Sequence, residues 1–118
     1  MHERTLAGLA AEDRVAIALE RRGYRVVDRN FRRRCGELDV VARNRDEVVF
    51  VEVRSRAGPG LEAQAAESVQ RGKVARVKAT AQRWLDGRPV DYAEVRFFLV
   101  LVSGTGANER QVWLEDAF

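Results

Sequence analysis

At 118 residues, with 46% hydrophobic and 33% charged side chains, the chain has the make-up of one folded domain spanning residues 1–118 and is too short for a second core. A single cysteine, Cys35, excludes an internal disulfide, and a single histidine, His2, excludes Cys/His zinc chemistry and gives Cys35 no base to make it a nucleophile. The net charge of +3 admits a nucleic-acid partner, no apolar run approaches the ~18 residues of a membrane span, and acids interrupt the N-terminal MHERTLAGLAAEDR, so a cytoplasmic protein with no membrane partner is expected.

Leu9–Arg22 has helical composition and stops at Gly23, a residue suited to a left-handed cap. Steps of three and four place Leu9, Glu12, Ala16 and Leu19 on one face, so an acid interrupts the inward stripe. Glu12 either sits at the edge of that stripe with its carboxylate in water, or points into a polar cleft. Tyr24–Phe31 follows as a strand with a charged outer face and runs into Arg32, Arg33 and Arg34, which with Arg29 form a cationic patch. Such a patch is either solvated surface or a seat for phosphates.

The stretch Gly36–Arg56, GELDVVARNRDEVVFVEVRSR, reads as two strands joined by a polar turn centred between Arg45 and Asp46. In an antiparallel pair the numbers of facing residues add to a constant, and this turn sets Asp39 opposite Glu52 and Glu37 opposite Arg54. Alternation puts those four side chains on one face, with Val41 and Phe50 further along it, and Leu38, Val40, Ala42, Val49, Val51 and Val53 on the other. Facing Cβ atoms lie about 4.5–5.5 Å apart, where two carboxylates repel unless a cation or proton sits between them. A divalent metal held by oxygen ligands resolves the clash, and an ordinary charged strand face with a Glu37–Arg54 ion pair is the alternative.

Ser55–Ala66 contains Gly58, Pro59 and Gly60 and reads as a loop. Ser68 suits the cap of a helix running to about Leu85, with Val74, Val77, Ala81 and Trp84 as its buried stripe. Arg71, Lys73, Arg76, Lys78 and Arg83 make that helix basic, and Lys73 falls at the margin of its buried face. Glu94–Val102 is the most apolar strand and is expected in a central, doubly covered place; Gln111–Leu114 is a short edge strand. A helix between the third and fourth strands requires a parallel crossover, hence an α/β fold with a mixed sheet flanked by helices.

GELDVV and FVEVRSR, accompanied in order by GLAAEDRVAIAL, GYRVVDRNFR and ESVQRGK, resemble the YraN-like family of small bacterial proteins. That family belongs to the restriction-endonuclease-like superfamily with the PD-(D/E)XK signature and is similar to archaeal Holliday-junction resolvases. The resemblance runs from about Gly8 to Phe118 and implies an αβββαβ core. It implies further that Asp39, Glu52 and the Val53 carbonyl hold Mg²⁺ or Mn²⁺, that Arg54 stands at the signature lysine position, and that Glu12 points into the cleft. Lys73 matches a lysine of the second helix that could contact phosphate. Arg54 cannot lose its proton at ordinary pH, so it can face phosphate charge but not act as a base. Phe98 stands where many relatives carry an aspartate.

These readings converge on a metal-dependent nuclease acting on DNA, with branched or other non-standard structures as the substrate class. Arg32, Arg33, Arg34, Arg56 and Lys73 are the residues expected against the nucleic acid, and a two-fold homodimer is compatible with a domain this small. Two alternatives stand beside it: a non-catalytic nucleic-acid-binding or adaptor module that keeps the nuclease fold, and an interaction protein whose acids merely pair with Arg32–Arg34.

Overall fold

The computed structural model describes residues 6–56, 60, 63, 74–89, 91–104 and 106–117. Helix α1 (Leu6–Arg21) buries Ala11, Val15 and Leu19. Gly23, at φ +95°, closes it: its N–H donates to the Glu20 carbonyl at 3.1 Å and the Tyr24 N–H to the Leu19 carbonyl at 3.0 Å. This left-handed turn returns Tyr24 to pack against the same cluster as Leu19 and launches strand β1 (Arg25–Arg33).

Strands β2 (Gly36–Arg43) and β3 (Glu47–Ser55) form the expected hairpin, helix α2 (Val74–Asp86) precedes β4 (Glu94–Ser103), and β5 (Arg110–Glu115) ends the sheet. The five strands lie side by side in chain order. Three neighbour pairs are antiparallel, and β3 and β4 are parallel, as a crossover demands. The fold is therefore the α/β arrangement expected, a mixed sheet flanked by helices, with β3 rather than β4 as its middle strand. Strand β4 is nevertheless interior and covered on both faces. Phe98, Val100 and Val102 join the α1 side, and Leu99 and Leu101 pack with Val112, Leu114 and Ala117 on the other.

Helix α1 covers Val40, Ala42, Val49 and Val51, while α2 lays Val77, Ala81 and Trp84 over Phe31, Leu38, Val41, Val48 and Phe50. Phe50 meets Trp84 edge-on with ring centroids 5.7 Å apart, and its burial explains why a large aromatic stands on the acid-bearing face. The approach of α2 is close at Gly36, where a Cβ would come within 2.9 Å of the Thr80 hydroxyl. Of the expected second helix, Ser68, Arg71 and Lys73 lie outside the described residues, as do His2, Phe118 and most of the Ser55–Ala66 loop. Among the described residues no helix is long and apolar enough to cross a membrane.

Candidate metal and nucleic-acid site

The hairpin turn sets the register as expected. Asn44 bonds its N–H to the Glu47 carbonyl at 3.1 Å, and its side-chain oxygen accepts from the Asp46 and Glu47 N–H groups at 3.0 and 2.8 Å. Arg43 then faces Val48, Ala42 faces Val49, Val41 faces Phe50 and Val40 faces Val51. The pairing ends there, one step before Asp39 and Glu52 would meet. Instead, Asp39 Oδ2 accepts the backbone N–H of Val53 at 2.8 Å. Had the ladder continued, Leu38 would face Val53, so the carboxylate stands where a strand carbonyl would otherwise approach.

Two parts of the sequence expectation change with this opening. Leu38 does not share a face with Val40; it is 2% exposed and belongs to the α2 cluster with Phe31 and Val41. The strict alternation assumed from the hairpin slips here, and the place on β1 that would face Asp39 is taken by Asn30 at φ +55°. A left-handed residue in a strand turns the side chains on either side of it, and Asn tolerates that conformation better than most. The second change is that Glu37 and Arg54 do not pair. Glu37 accepts from its β1 neighbour Arg32 at 3.0 Å, and Arg54 bonds to the Glu52 carboxylate two residues before it.

The acids thus stand in three settings. Glu52, its side chain 18% exposed, lies beside Arg54 and faces buried Leu99 across the parallel ladder. Asp39 is half-buried and oriented by the Val53 amide, which brings the carboxylate and the Val53 backbone, two of the expected ligand groups, into one place. Glu12 is 2% exposed, with an Arg29 nitrogen 3.7 Å from its carboxylate. It therefore points inward and does not reach for water. Arg29, read from sequence as part of the surface patch, supplies its counter-charge while also bonding Asp13 at 2.8 Å. Because Arg29 pairs with Val40, next to Asp39, buried Glu12 and its half-buried partner Arg29 lie along β1 beside the opened ladder. Period-two alternation gives no signal for this, because the register shift between Val26 and Asp28 and the left-handed Asn30 break it on either side of Arg29.

Among the described residues no group of three or more His, Cys, Asp and Glu side chains is gathered to hold a metal. The donors available are two carboxylates and a backbone carbonyl, all hard oxygens, which suits Mg²⁺ or Mn²⁺ completed by water and phosphate oxygens. The expected nucleic-acid residues spread around this point. Arg33 and Arg34 are exposed at the β1–β2 turn, Arg33 stacked 4.1 Å over the Phe31 ring, and Arg56 is exposed just past β3. Arg32 is engaged by Glu37.

A second polar cluster, not anticipated from sequence, holds the other end of the sheet. The Tyr24 hydroxyl donates to Glu47 at 2.9 Å, and Arg96 reaches Glu47 at 3.6 Å, Glu115 at 3.1 Å and Asp116 at 2.9 Å. Burial, then the neighbouring Glu47 carboxylate, raises the Tyr24 phenol above its usual value, and the bond to Arg96 lowers the Asp116 carboxyl. The same bond makes Arg96 still harder to deprotonate.

Comparison with known proteins is consistent across nearly the whole chain. A UPF0102 protein of Dechloromonas aromatica is 43% identical over 114 residues, covering 97% of this chain and 89% of the relative. UPF0102 protein SPO0400 of Ruegeria pomeroyi is 46% identical, covering 96% and 88%. Among solved structures, Pyrococcus furiosus SfsA in complex with Ca²⁺ matches at 14% identity with a TM-score of 0.34 over 91% of this chain and 59% of that one, a likeness too slight to carry an argument. The pattern of the uncharacterised protein family UPF0102 matches residues 11–102, and with these relatives it establishes that the chain belongs to that family, the YraN-like proteins.

Proposed function

We propose that the chain is a metal-dependent nuclease acting on DNA, with Asp39, Glu52 and the Val53 carbonyl as the seat of Mg²⁺ or Mn²⁺. The observation that carries this reading is the end of the β2–β3 ladder at Val40 and Val51, where the Asp39 carboxylate takes the Val53 N–H in place of a strand partner. A metal bound there would polarise a phosphodiester and lower the pKa of an attacking water. The protein's own residues orient and balance charge. The Val53 amide fixes the Asp39 carboxylate, and Arg54, permanently cationic, faces the negative charge that builds on phosphate once a metal takes Glu52 from it. Glu12, with Arg29 as its counter-charge, would position a water or a second metal. Arg33, Arg34, Arg56 and Lys73 would take backbone phosphates, giving weak sequence preference because none of them belongs to a base-reading element.

The test is incubation of the purified protein with linear, nicked, single-stranded and four-way-junction DNA, with Mn²⁺ or Mg²⁺ and with chelator. Metal-dependent cleavage that vanishes in Asp39→Asn and in Glu52→Gln supports the reading, and a wild type that cuts none of the four would sink it. One observation favours a second reading, a nucleic-acid-binding module without cleavage: Glu52 is already neutralised by Arg54. Under that reading DNA binding persists, while divalent metal leaves the melting temperature unchanged.

A further inference from the structure

A cavity of about 550 Å³ opens between the β1–β2 turn and the last turn of α2, lined by Arg33, Arg34, Cys35, Arg83, Asp86 and Gly87. Its walls are set by the close seating of α2 on Gly36 and by the Thr80 hydroxyl, which bonds the Arg76 carbonyl at 2.7 Å and lies 3.3 Å from the Cys35 sulfur. Three arginines against one aspartate leave two net positive charges. Asp86 accepts from Gln82 at 2.8 Å, and neither Arg34 nor Arg83 has an ion pair among the described residues. Arg33 is fixed by its stacking on Phe31 and by a bond to the Arg32 carbonyl. The C-terminal end of a helix repels anions, so an anion here must be held by the guanidinium groups rather than by the α2 dipole.

We infer that this cavity binds a phosphate monoester, namely the terminal phosphate of a nucleic-acid strand. Charge and shape both point to an end group. A monoester carries up to two negative charges at neutral pH, its second pKa lying near about 6, whereas an internal phosphodiester carries one. The site's two net positive charges match the monoester. The volume falls within the range of small-ligand sites and has room for the phosphate together with part of its nucleoside. Position fits as well: Gly36 precedes Asp39 by three residues of strand, about 10 Å at the usual rise, so an anchored end would lie beside the opened ladder. The inference rests on the proposed function only in naming nucleic acid as the source of the monoester.

Binding of one single-stranded oligonucleotide in 5′-phosphorylated, 3′-phosphorylated and unphosphorylated forms, measured in chelator so that cleavage plays no part, decides the matter. A phosphorylated end should tighten binding by roughly tenfold, one charge-assisted contact's worth. The preference should fall away below about pH 6 as the monoester loses its second charge. The Arg34→Ala/Arg83→Ala double variant should lose the preference, Asp86→Asn should widen it, and the phosphorylated strand should slow alkylation of Cys35, the single cysteine. Equal affinity for all three strands, or a preference retained in the double variant, overturns the proposal. A free mononucleotide competing as well as the phosphorylated strand overturns the assignment to strand ends. Because no cleavage is read, failure here leaves the nuclease reading intact, and loss of the nuclease reading leaves this result standing.

Discussion

The two ends of the β2–β3 hairpin carry acids in opposite circumstances. At the turn end, Glu47 receives the Tyr24 hydroxyl from the connection into β1 and the Arg96 guanidinium from neighbouring β4. At the far end, the ladder itself gives way and a carboxylate bonds to backbone. The difference is instructive because the residue types are the same. An acid whose partners come from segments packed beside it ties the sheet together, whereas an acid that displaces a strand contact creates space next to itself.

The sharpest break in that contrast comes from neutralising the acids at each end. Asp39→Asn and Glu52→Gln should each lower metal-dependent DNA cleavage by at least about two orders of magnitude, roughly 2.7 kcal/mol of transition-state stabilisation. Both should also abolish the rise in melting temperature that Mg²⁺ or Mn²⁺ gives the wild type, since a ligand of the folded state alone stabilises it by mass action. Metal-free stability should change little, because Asn keeps an acceptor for the Val53 N–H. Loss of stability without loss of metal response would assign these acids to the same class as Glu47.

At the turn end the expected pattern is reversed. Arg96→Met removes the cation shared by Glu47, Glu115 and Asp116 and should cost about 1–3 kcal/mol in denaturant unfolding, leaving the metal response unchanged. Tyr24→Phe deletes one hydroxyl bond to Glu47 and should cost roughly 0.5–1.5 kcal/mol. An effect of either variant on metal binding would erase the distinction between the ends.

A smaller effect tests the cationic rim. Arg33→Ala should make the slope of log K against log salt for duplex DNA shallower by about 0.9, one phosphate contact, if Arg33 binds backbone phosphate. An unchanged slope returns it to plain surface.

Smallest are the pH responses of the turn-end cluster. Tyr24 has a raised pKa in the folded state, so its contribution is complete below about pH 10 and is lost as pH climbs through the folded value. Asp116 is shifted the other way: its contribution is present above the ordinary value of 3.8 and disappears as pH falls through the lower folded value. Thermal melts across both ranges should therefore show an alkaline loss that Tyr24→Phe reduces and an acid loss that Arg96→Met reduces.

Much of the fold was legible in the residues because it follows from local signals. Asn44 fixed the turn, Gly23 ended the first helix, and the β-branched runs located the strands. The register of Val40 to Arg43 against Val48 to Val51 followed from the turn alone. At the candidate site the residue types and the register leading up to them were legible, and the local geometry around Asp39 and Glu52 was not. Alternation assumes an unbroken strand, and the left-handed Asn30 together with the Val53 amide breaks that assumption where the acids stand. Nor does period or spacing reveal that Arg29 serves a buried acid, because its neighbours Arg32, Arg33 and Arg34 disguise it as one more surface charge. The Tyr24–Glu47–Arg96 cluster joins the residue ahead of β1 to β3 and β4, segments distant in the chain, and no local pattern encodes such a meeting.

The coincidence of spatial and chain order in the sheet bears on how the protein assembles. Three of its four strand pairings join consecutive antiparallel strands with short connections, so the entropic cost of closing their loops is low. Asp39 and Glu52 both belong to the hairpin, a motif that in isolation closes on a timescale of about 1–10 μs. The long closure is the one to β4 through α2. Stopped-flow refolding should accordingly place substitutions in the Asn44 turn largely on the folding rate, and substitutions of Leu99 or Leu101 more on the unfolding rate. The chemistry of the site would then be drafted by the fastest-forming segment of the chain and enclosed by the slowest.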